Sequence, residues 1–236
     1  MFAKALPSCF TVGNLFLGII SILLAVQDSW KYAAIMVIIG MLLDGLDGRV
    51  ARMLNTQSEF GKELDSLSDV ISFGVAPAII MYVSTFKYTG PEGWLVTAIF
   101  PICGALRLAR FNVHPGEPGY FIGLPITAAG GILATMALYN VYVHNVYVWM
   151  AAMLFLSFLM VSQIKYPAFK KVAIPRSMIW IAPLFLLAIA VSAIKYPYEL
   201  PKVIFIPLAL YALYGVKKGI ERKRKEENEE PVEDLK

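Results

Sequence analysis

The sequence predicts an all-α, polytopic membrane protein built as a bundle of transmembrane helices. The 236 residues are 58% hydrophobic, and the mean hydropathy is +0.64. Only 16% of the residues are charged, against about 25% in a typical soluble domain. The apolar residues form long blocks, and several blocks reach the roughly 20 residues that cross a bilayer. Because a backbone in lipid must satisfy its own hydrogen bonds, each block is expected to be a helix.

Eight membrane spans are predicted from these blocks. They are Leu6–Val26, Tyr32–Met53, Glu63–Phe86, Gly93–Phe111, Leu124–Val143, Tyr147–Ile164, Met178–Ile194 and Val203–Val216. Residues 1–216 are therefore interpreted as one membrane domain. Residues 217–236 are interpreted as a cytoplasmic tail, because this segment is too rich in charge to fold alone.

Basic residues are distributed unevenly between the two sides of the predicted bundle. If the N-terminus is cytoplasmic, 17 of the 21 lysines and arginines lie on the cytoplasmic side. This asymmetry follows the positive-inside rule. It predicts a protein of the cell membrane with both termini on the cytoplasmic side, and no nucleic-acid partner is expected.

Two acidic pairs lie on either side of the turn between the second and third spans. Asp44 and Asp47 are three residues apart, and Asp65 and Asp69 are four residues apart. These spacings place both members of a pair on one face of a helix.

The turn itself, at residues 55–58, contains a signal for the start of a helix. Thr56 followed by Glu59 fits a capping box. The chain is therefore expected to turn in the cytoplasmic interface and return into the membrane. Both acidic pairs then lie at similar depth and can face each other.

Four carboxylates at one depth of a membrane require a compensating positive charge. An aspartate at mid-bilayer costs about 2.5–3.5 kcal/mol on insertion scales, and four aspartates also repel one another. Hard oxygen ligands suit Mg²⁺ or Mn²⁺. The alternative, a set of solvated interfacial carboxylates, describes Glu59 and Glu63 near the turn better than the deeper aspartates. The pattern favours a divalent-metal site.

Small residues accompany the aspartates at one helical turn's distance. Gly48 and Ala51 follow the first pair, Gly61 precedes the second, and Arg52 adds a fixed cation. Small side chains leave room for a flat group against the backbone. Together with a metal, this pattern indicates a pocket for a pyrophosphate-linked nucleotide.

The combined pattern resembles the signature of the CDP-alcohol phosphotransferase family. The matching residues are Asp44, Asp47, Gly48, Ala51, Arg52, Gly61, Asp65 and Asp69. The resemblance implies a six-helix core over residues 6–164, with two extra C-terminal helices over residues 178–216. It also implies a homodimer and an enzyme that displaces CMP from a CDP-linked lipid with an alcohol.

The resemblance assigns roles to these residues as well. The four aspartates would hold two divalent ions, Mg²⁺ or Mn²⁺, and the last of them, Asp69, would be the catalytic base. Gly48, Ala51, Arg52 and Gly61 would line the CDP pocket.

A second stretch bears on the acceptor alcohol. The segments GALRLARFNV, at residues 104–113, and FIGLPITAAGG, at residues 121–131, resemble the family members that use serine. The resemblance implies that CDP-diacylglycerol and L-serine react to give phosphatidylserine and CMP. Arg107 and Arg110 can share a helix face and bind the serine carboxylate, with Asn112 accepting from its ammonium.

Three alternatives are left open by the residues alone. Arg107 and Arg110 also fit positive-inside anchoring. The same chemistry with glycerol 3-phosphate or an inositol as acceptor is a second alternative, and an acceptor that carries a phosphate would also need cations at this point. A divalent-cation transporter is an alternative of another class, although its polar groups would be expected on several helices near mid-bilayer.

Overall fold

The computed structural model describes residues 2–114, 120–140, 142–167, 205–217 and 219. Within them lie seven helices, and a π or 3₁₀ segment continues two of these without a break. They are α1 (Phe2–Val26), α2 (Trp30–Met53), α3 (Glu59–Phe86), α4 (Pro91–Val113), α5 (Ile126–Tyr139), α6 (Val146–Val161) and α7 (Phe205–Lys217). Two short strands, β1 (Tyr120–Ile122) and β2 (Lys165–Pro167), pair antiparallel.

The predicted all-α membrane bundle is confirmed. The first six predicted spans correspond to α1–α6, and the eighth corresponds to α7, while Met178–Ile194 lies outside the described residues. Three stretches are long and apolar enough to cross a membrane: Pro7–Val26, Glu59–Phe86 and Pro91–Val113. Helix α2 has 24 residues, but its last turns are polar because they carry the first acidic pair and two arginines.

The bundle is organised around α3. Helix α1 packs along α2, and both contact α3, while α5 lies against α2 and the middle of α3. Helix α5 is buried from Ala128 to Leu138. Its Gly130 faces the backbone of Phe73, where an added Cβ would come within 2.3 Å of the Phe73 carbonyl oxygen. Small residues at such contacts let the backbones of membrane helices approach closely.

Helix α3 changes its hydrogen-bonding pattern directly after its acidic pair, Asp65 and Asp69. Residues Val70–Val75 form a π-helical segment, and Pro77 follows in the first turn of the next α-helical segment. Since proline has no N–H, Pro77 cannot bond to the carbonyl of Phe73 four residues earlier. The N–H of the preceding residue, Ala76, donates to the carbonyl oxygen of Ile71, which is five residues back and not four. Helix α3 thus widens just beyond Asp69.

The turn between α2 and α3 differs from the prediction at one residue. Asn55 adopts φ +50°, and Ser58, in extended backbone, accepts a hydrogen bond from the N–H of Gly61 at 3.0 Å. Ser58, and not Thr56, therefore caps the helix, and the predicted capping box is wrong. The reversal of the chain itself is as predicted, so that the two acidic pairs face each other.

Candidate active site

The acidic pairs meet where α2 ends and α3 begins. One carboxylate oxygen from each of Asp44, Asp47 and Asp65 lies within 4.8 Å of the other two. Asp69 is one turn deeper, 8% exposed, and its charge interacts with those of the other three aspartates. The sequence-predicted aspartates are thus brought together by two helices that are adjacent in the chain.

The donor set suits a divalent cation. Asp65 Oδ1 and Asp69 Oδ1 are buried and have no hydrogen-bond donor among the described residues. Buried carboxylate oxygens without a donor are costly unless a cation faces them. Oxygen-only ligands of this kind are those that Mg²⁺ and Mn²⁺ prefer.

Asp47 is the most firmly held of the four. The hydroxyl of Thr11, on α1, donates to Asp47 Oδ2 at 2.8 Å, and the N–H of Gly48 donates to Asp47 Oδ1. The sequence alone does not assign Thr11 to the site. A hydroxyl in an apolar helix is its only signal in the sequence, and its partner, Asp47, lies 36 residues away.

The small residues beside the aspartates leave the end of α2 and the start of α3 open. A Cβ on Gly48 would meet nothing nearer than Nη1 of Arg52, at 3.4 Å. Ala51 is half-buried, and Arg52 is exposed next to it. Gly61 lies in the first turn of α3, where its N–H contacts the Ser58 cap. The structure places Gly48 and Arg52 side by side and Gly61 on the facing helix.

Arg107 extends into the bundle from α4. The side chain is 6% exposed, its Nε has no hydrogen-bond partner among the described residues, and its charge interacts with that of Asp69. Its guanidinium carbon lies 5.6 Å from the ring centre of Phe111 and 5.9 Å from that of Phe121. A buried cation with a free donor next to the acidic cluster is a candidate site for an anionic group.

Arg110 has different surroundings. Its guanidinium donates to the carbonyl oxygens of Val161 at 3.0 Å, Ser162 at 3.2 Å, Ile122 at 3.3 Å and Met160 at 3.4 Å. These bonds satisfy carbonyls at the C-terminal end of α6 and tie them to β1. The contacts support a structural role for Arg110 beside the site.

Asn112 also contacts protein groups. Its Nδ2 donates to Ser66 Oγ at 2.9 Å and to Glu63 Oε2 at 3.5 Å, and its backbone carbonyl accepts from Lys62 Nζ at 3.3 Å. The residue joins the end of α4 to the first turns of α3. It thereby holds Arg107 and the second acidic pair on neighbouring helices.

Comparison with known proteins shows the family. The family model described as CDP-alcohol phosphatidyltransferase matches residues 4–157, a range that contains all four aspartates and both arginines of α4. The chain belongs to this family. The family resemblance expected from the aspartate pattern is therefore confirmed.

Individual relatives narrow the class further. A CDP-diacylglycerol–serine O-phosphatidyltransferase of Helicobacter pylori is 41% identical over 221 residues, 89% of this chain and 89% of the relative. The protein of that name from Bacillus subtilis is 39% identical over 167 residues, 70% of this chain and 92% of the relative. An archaetidylserine synthase of Methanothermobacter thermautotrophicus is 41% identical over 167 residues, 69% of this chain and 70% of the relative.

Proposed function

We infer that this integral membrane protein is a transferase that moves the phosphatidyl group of CDP-diacylglycerol to the hydroxyl of L-serine. The products are phosphatidylserine and CMP. The observation that carries the inference is the cluster of Asp44, Asp47, Asp65 and Asp69, in which Asp47 and Asp69 are buried, with Arg107 beside it. Serine is the acceptor in the names of both the bacterial and the archaeal relatives, and this supports serine over glycerol 3-phosphate or inositol.

The four aspartates would hold two divalent cations, Mg²⁺ or Mn²⁺. Bound there, the cations would neutralise the charge that develops on the pyrophosphate as CMP leaves. The fit rests on the converging carboxylate oxygens and on the two buried oxygens without a donor.

The CDP group would lie over the open face of α2 and the start of α3. Gly48, Ala51 and Gly61 present little side chain there, so the nucleotide can approach the backbone. Arg52, exposed at the rim, would bind a phosphate oxygen. Its guanidinium can also offer two parallel donors to one phosphate.

Asp69 would accept the proton of the attacking serine hydroxyl. In that step the serine oxygen bonds to the phosphorus that carries diacylglycerol, and the bond from this phosphorus to the CMP oxygen breaks. The proton passes to Asp69, and CMP leaves with the electron pair. A carboxylate has two oxygens, so one oxygen of Asp69 can face a cation while the other takes the proton. Such general-base help is typically worth about 10²–10⁴-fold in rate.

Arg107 would bind the serine carboxylate. It is the buried cation beside Asp69, and a guanidinium can bind a carboxylate through two parallel hydrogen bonds. Arg110 and Asn112 would act on the acceptor side by fixing the end of α4, since their donors contact carbonyls of α6 and polar groups of α3. This division refines the expectation that all three residues bind serine directly.

The site is proposed to face the cytoplasm, where CDP-linked lipid and serine are available. The excess of lysine and arginine on that side supports this orientation. The division into a six-helix core, two additional helices and a charged tail stays a prediction, as does the homodimer.

The test is CMP release by the purified protein in detergent with CDP-diacylglycerol and Mn²⁺ or Mg²⁺. Parallel reactions contain L-serine, glycerol 3-phosphate or inositol, and Asp69→Asn is the control. Release with serine alone, abolished in Asp69→Asn, is the expected result. Release with another alcohol would keep the metal site and overturn the acceptor. No release with any alcohol would overturn the function and return attention to metal transport.

A further inference from the structure

Helix α1 contributes a hydroxyl to the acidic cluster although it contains no acidic residue. Thr11 is 4% exposed and Asp47 is 5% exposed. Their contact is a hydrogen bond of 2.8 Å from Thr11 Oγ1 to Asp47 Oδ2. This side-chain hydrogen bond joins α1 directly to one of the four aspartates.

The single proton of this hydroxyl has two possible acceptors. Thr11 Oγ1 lies 3.2 Å from the carbonyl oxygen of Pro7, one turn earlier, and 2.8 Å from Asp47 Oδ2. The shorter distance and the charge of a carboxylate favour Asp47, because hydrogen bonds to ionised acceptors are shorter and stronger. With Gly48 N–H on Oδ1, both oxygens of Asp47 are oriented by protein donors.

Thr11 is itself fixed with respect to the second acidic pair. Ser68 Oγ, on α3, donates to the carbonyl oxygen of Thr11 at 3.2 Å. One turn further along, Ser72 Oγ donates to the carbonyl oxygen of Asn14 at 3.0 Å. Since Ser68 immediately precedes Asp69, α1 connects the carboxylates of α2 to those of α3.

We propose that Thr11 is a positioning residue that holds Asp47 in the orientation in which its carboxylate can bind a divalent cation. The proposal rests on the proposed function, in which the aspartates hold the metal. Groups that hydrogen-bond a metal ligand orient it, and their loss typically weakens metal affinity about 10–100-fold. Thr11 touches neither the cation nor the substrates in this proposal.

The experiment measures Mn²⁺ binding to the full-length protein in detergent, by the electron paramagnetic resonance signal of free Mn²⁺. Thr11→Val removes the hydroxyl and keeps the branched shape, while Thr11→Ser keeps the hydroxyl. Ser21→Ala is the matched control, because the buried Ser21 Oγ also joins α1 to α2, through the carbonyl of Ala33 at 2.9 Å, away from the site. Thermal unfolding without metal shows whether each variant folds.

The expected result is a Mn²⁺ dissociation constant raised about 10–100-fold in Thr11→Val, with Thr11→Ser and Ser21→Ala close to the wild type. The KM for L-serine should stay unchanged in Thr11→Val at saturating Mn²⁺. Wild-type affinity in Thr11→Val would overturn the proposal, and so would an equal loss in Ser21→Ala. If Asp47→Asn binds Mn²⁺ like the wild type, the metal site itself is wrong, and the role of Thr11 falls with it.

Discussion

The guanidinium of Arg107 lies 5.9 Å from the ring centre of Phe121, on the strand that follows its own helix. Contact with an aromatic face stabilises a buried cation without occupying its N–H donors. Arg110, one turn further along α4, has its donors bound to four carbonyl oxygens. Two arginines three residues apart therefore have different contacts: Arg110 stabilises the fold, while Arg107 would bind a ligand in the proposed function.

Replacement of Arg107 should weaken serine binding. Arg107→Gln is expected to raise the KM for L-serine about 10–100-fold, because it removes a hydrogen-bonded charge worth about 1.5–3 kcal/mol. The KM for CDP-diacylglycerol should change little. Steady-state kinetics with each substrate varied in turn makes the comparison. Arg107→Lys should recover only part of the loss, because an ammonium cannot bind a carboxylate in two parallel bonds. An unchanged serine KM in Arg107→Gln would contradict the assignment.

Replacement of Arg110 should act on stability. Arg110→Met keeps much of the apolar stem but leaves the carbonyls at the end of α6 without their donor, at a cost of about 1–3 kcal/mol. The thermal midpoint in detergent should fall, while the serine KM of the remaining folded protein stays near the wild-type value. A large change in serine KM at an unchanged midpoint would instead place Arg110 on the acceptor.

Removal of one aspartate should separate metal binding from folding. Asp44→Asn is expected to abolish stabilisation by Mn²⁺, because it removes a proposed metal ligand. In the wild type, Mn²⁺ at 100 times its dissociation constant should stabilise the protein by about 2.7 kcal/mol. Without metal the variant should be at least as stable as the wild type, because it removes one of several like charges that face each other. Thermal unfolding with and without Mn²⁺, and with EDTA, measures both effects. Equal Mn²⁺ stabilisation in the variant and the wild type would exclude Asp44 as a ligand.

The helices and the aspartates were predictable because their signals are local. An apolar block of sufficient length gives a membrane helix wherever it packs, and spacings of three and four fix a shared face. The contacts of Thr11 with Asp47 and of Arg110 with Val161 join residues 36 and 51 positions apart. Which hydroxyl lies opposite Asp47, and which carbonyl lies opposite Arg110, depends on how whole helices pack. No local sequence pattern encodes this packing.

The choice of helix cap shows the same limit at short range. Thr56 and Ser58 both offer a hydroxyl before α3. The backbone decides between them, because Asn55 turns with φ +50° and Ser58 is extended at φ −143°. Residue preferences alone do not specify that path.

The cap can be tested by local exchange. Ser58→Ala should destabilise the first turn of α3 by about 1 kcal/mol, which corresponds to roughly fivefold faster amide exchange. Thr56→Ala should leave exchange there unchanged, because Thr56 Oγ1 has no hydrogen-bond partner among the described residues. Hydrogen–deuterium exchange of peptides that cover residues 59–65 measures the difference. Faster exchange in Thr56→Ala alone would restore the capping box.

The contact between α5 and α3 should tolerate no added methyl group. Gly130→Ala places a Cβ within 2.3 Å of the Phe73 carbonyl oxygen and within 2.8 Å of its Cα, so the helices must separate. The site lies at the start of α3, and Phe73 is one turn beyond Asp69, so both the thermal midpoint and CMP release should fall. Gly45→Ala is the control, since a Cβ there meets no atom within 4 Å. In a helix interior that change is expected to stabilise by about 0.5–1 kcal/mol. A Gly130→Ala protein as stable as Gly45→Ala would mean that α5 does not approach α3 as closely as described.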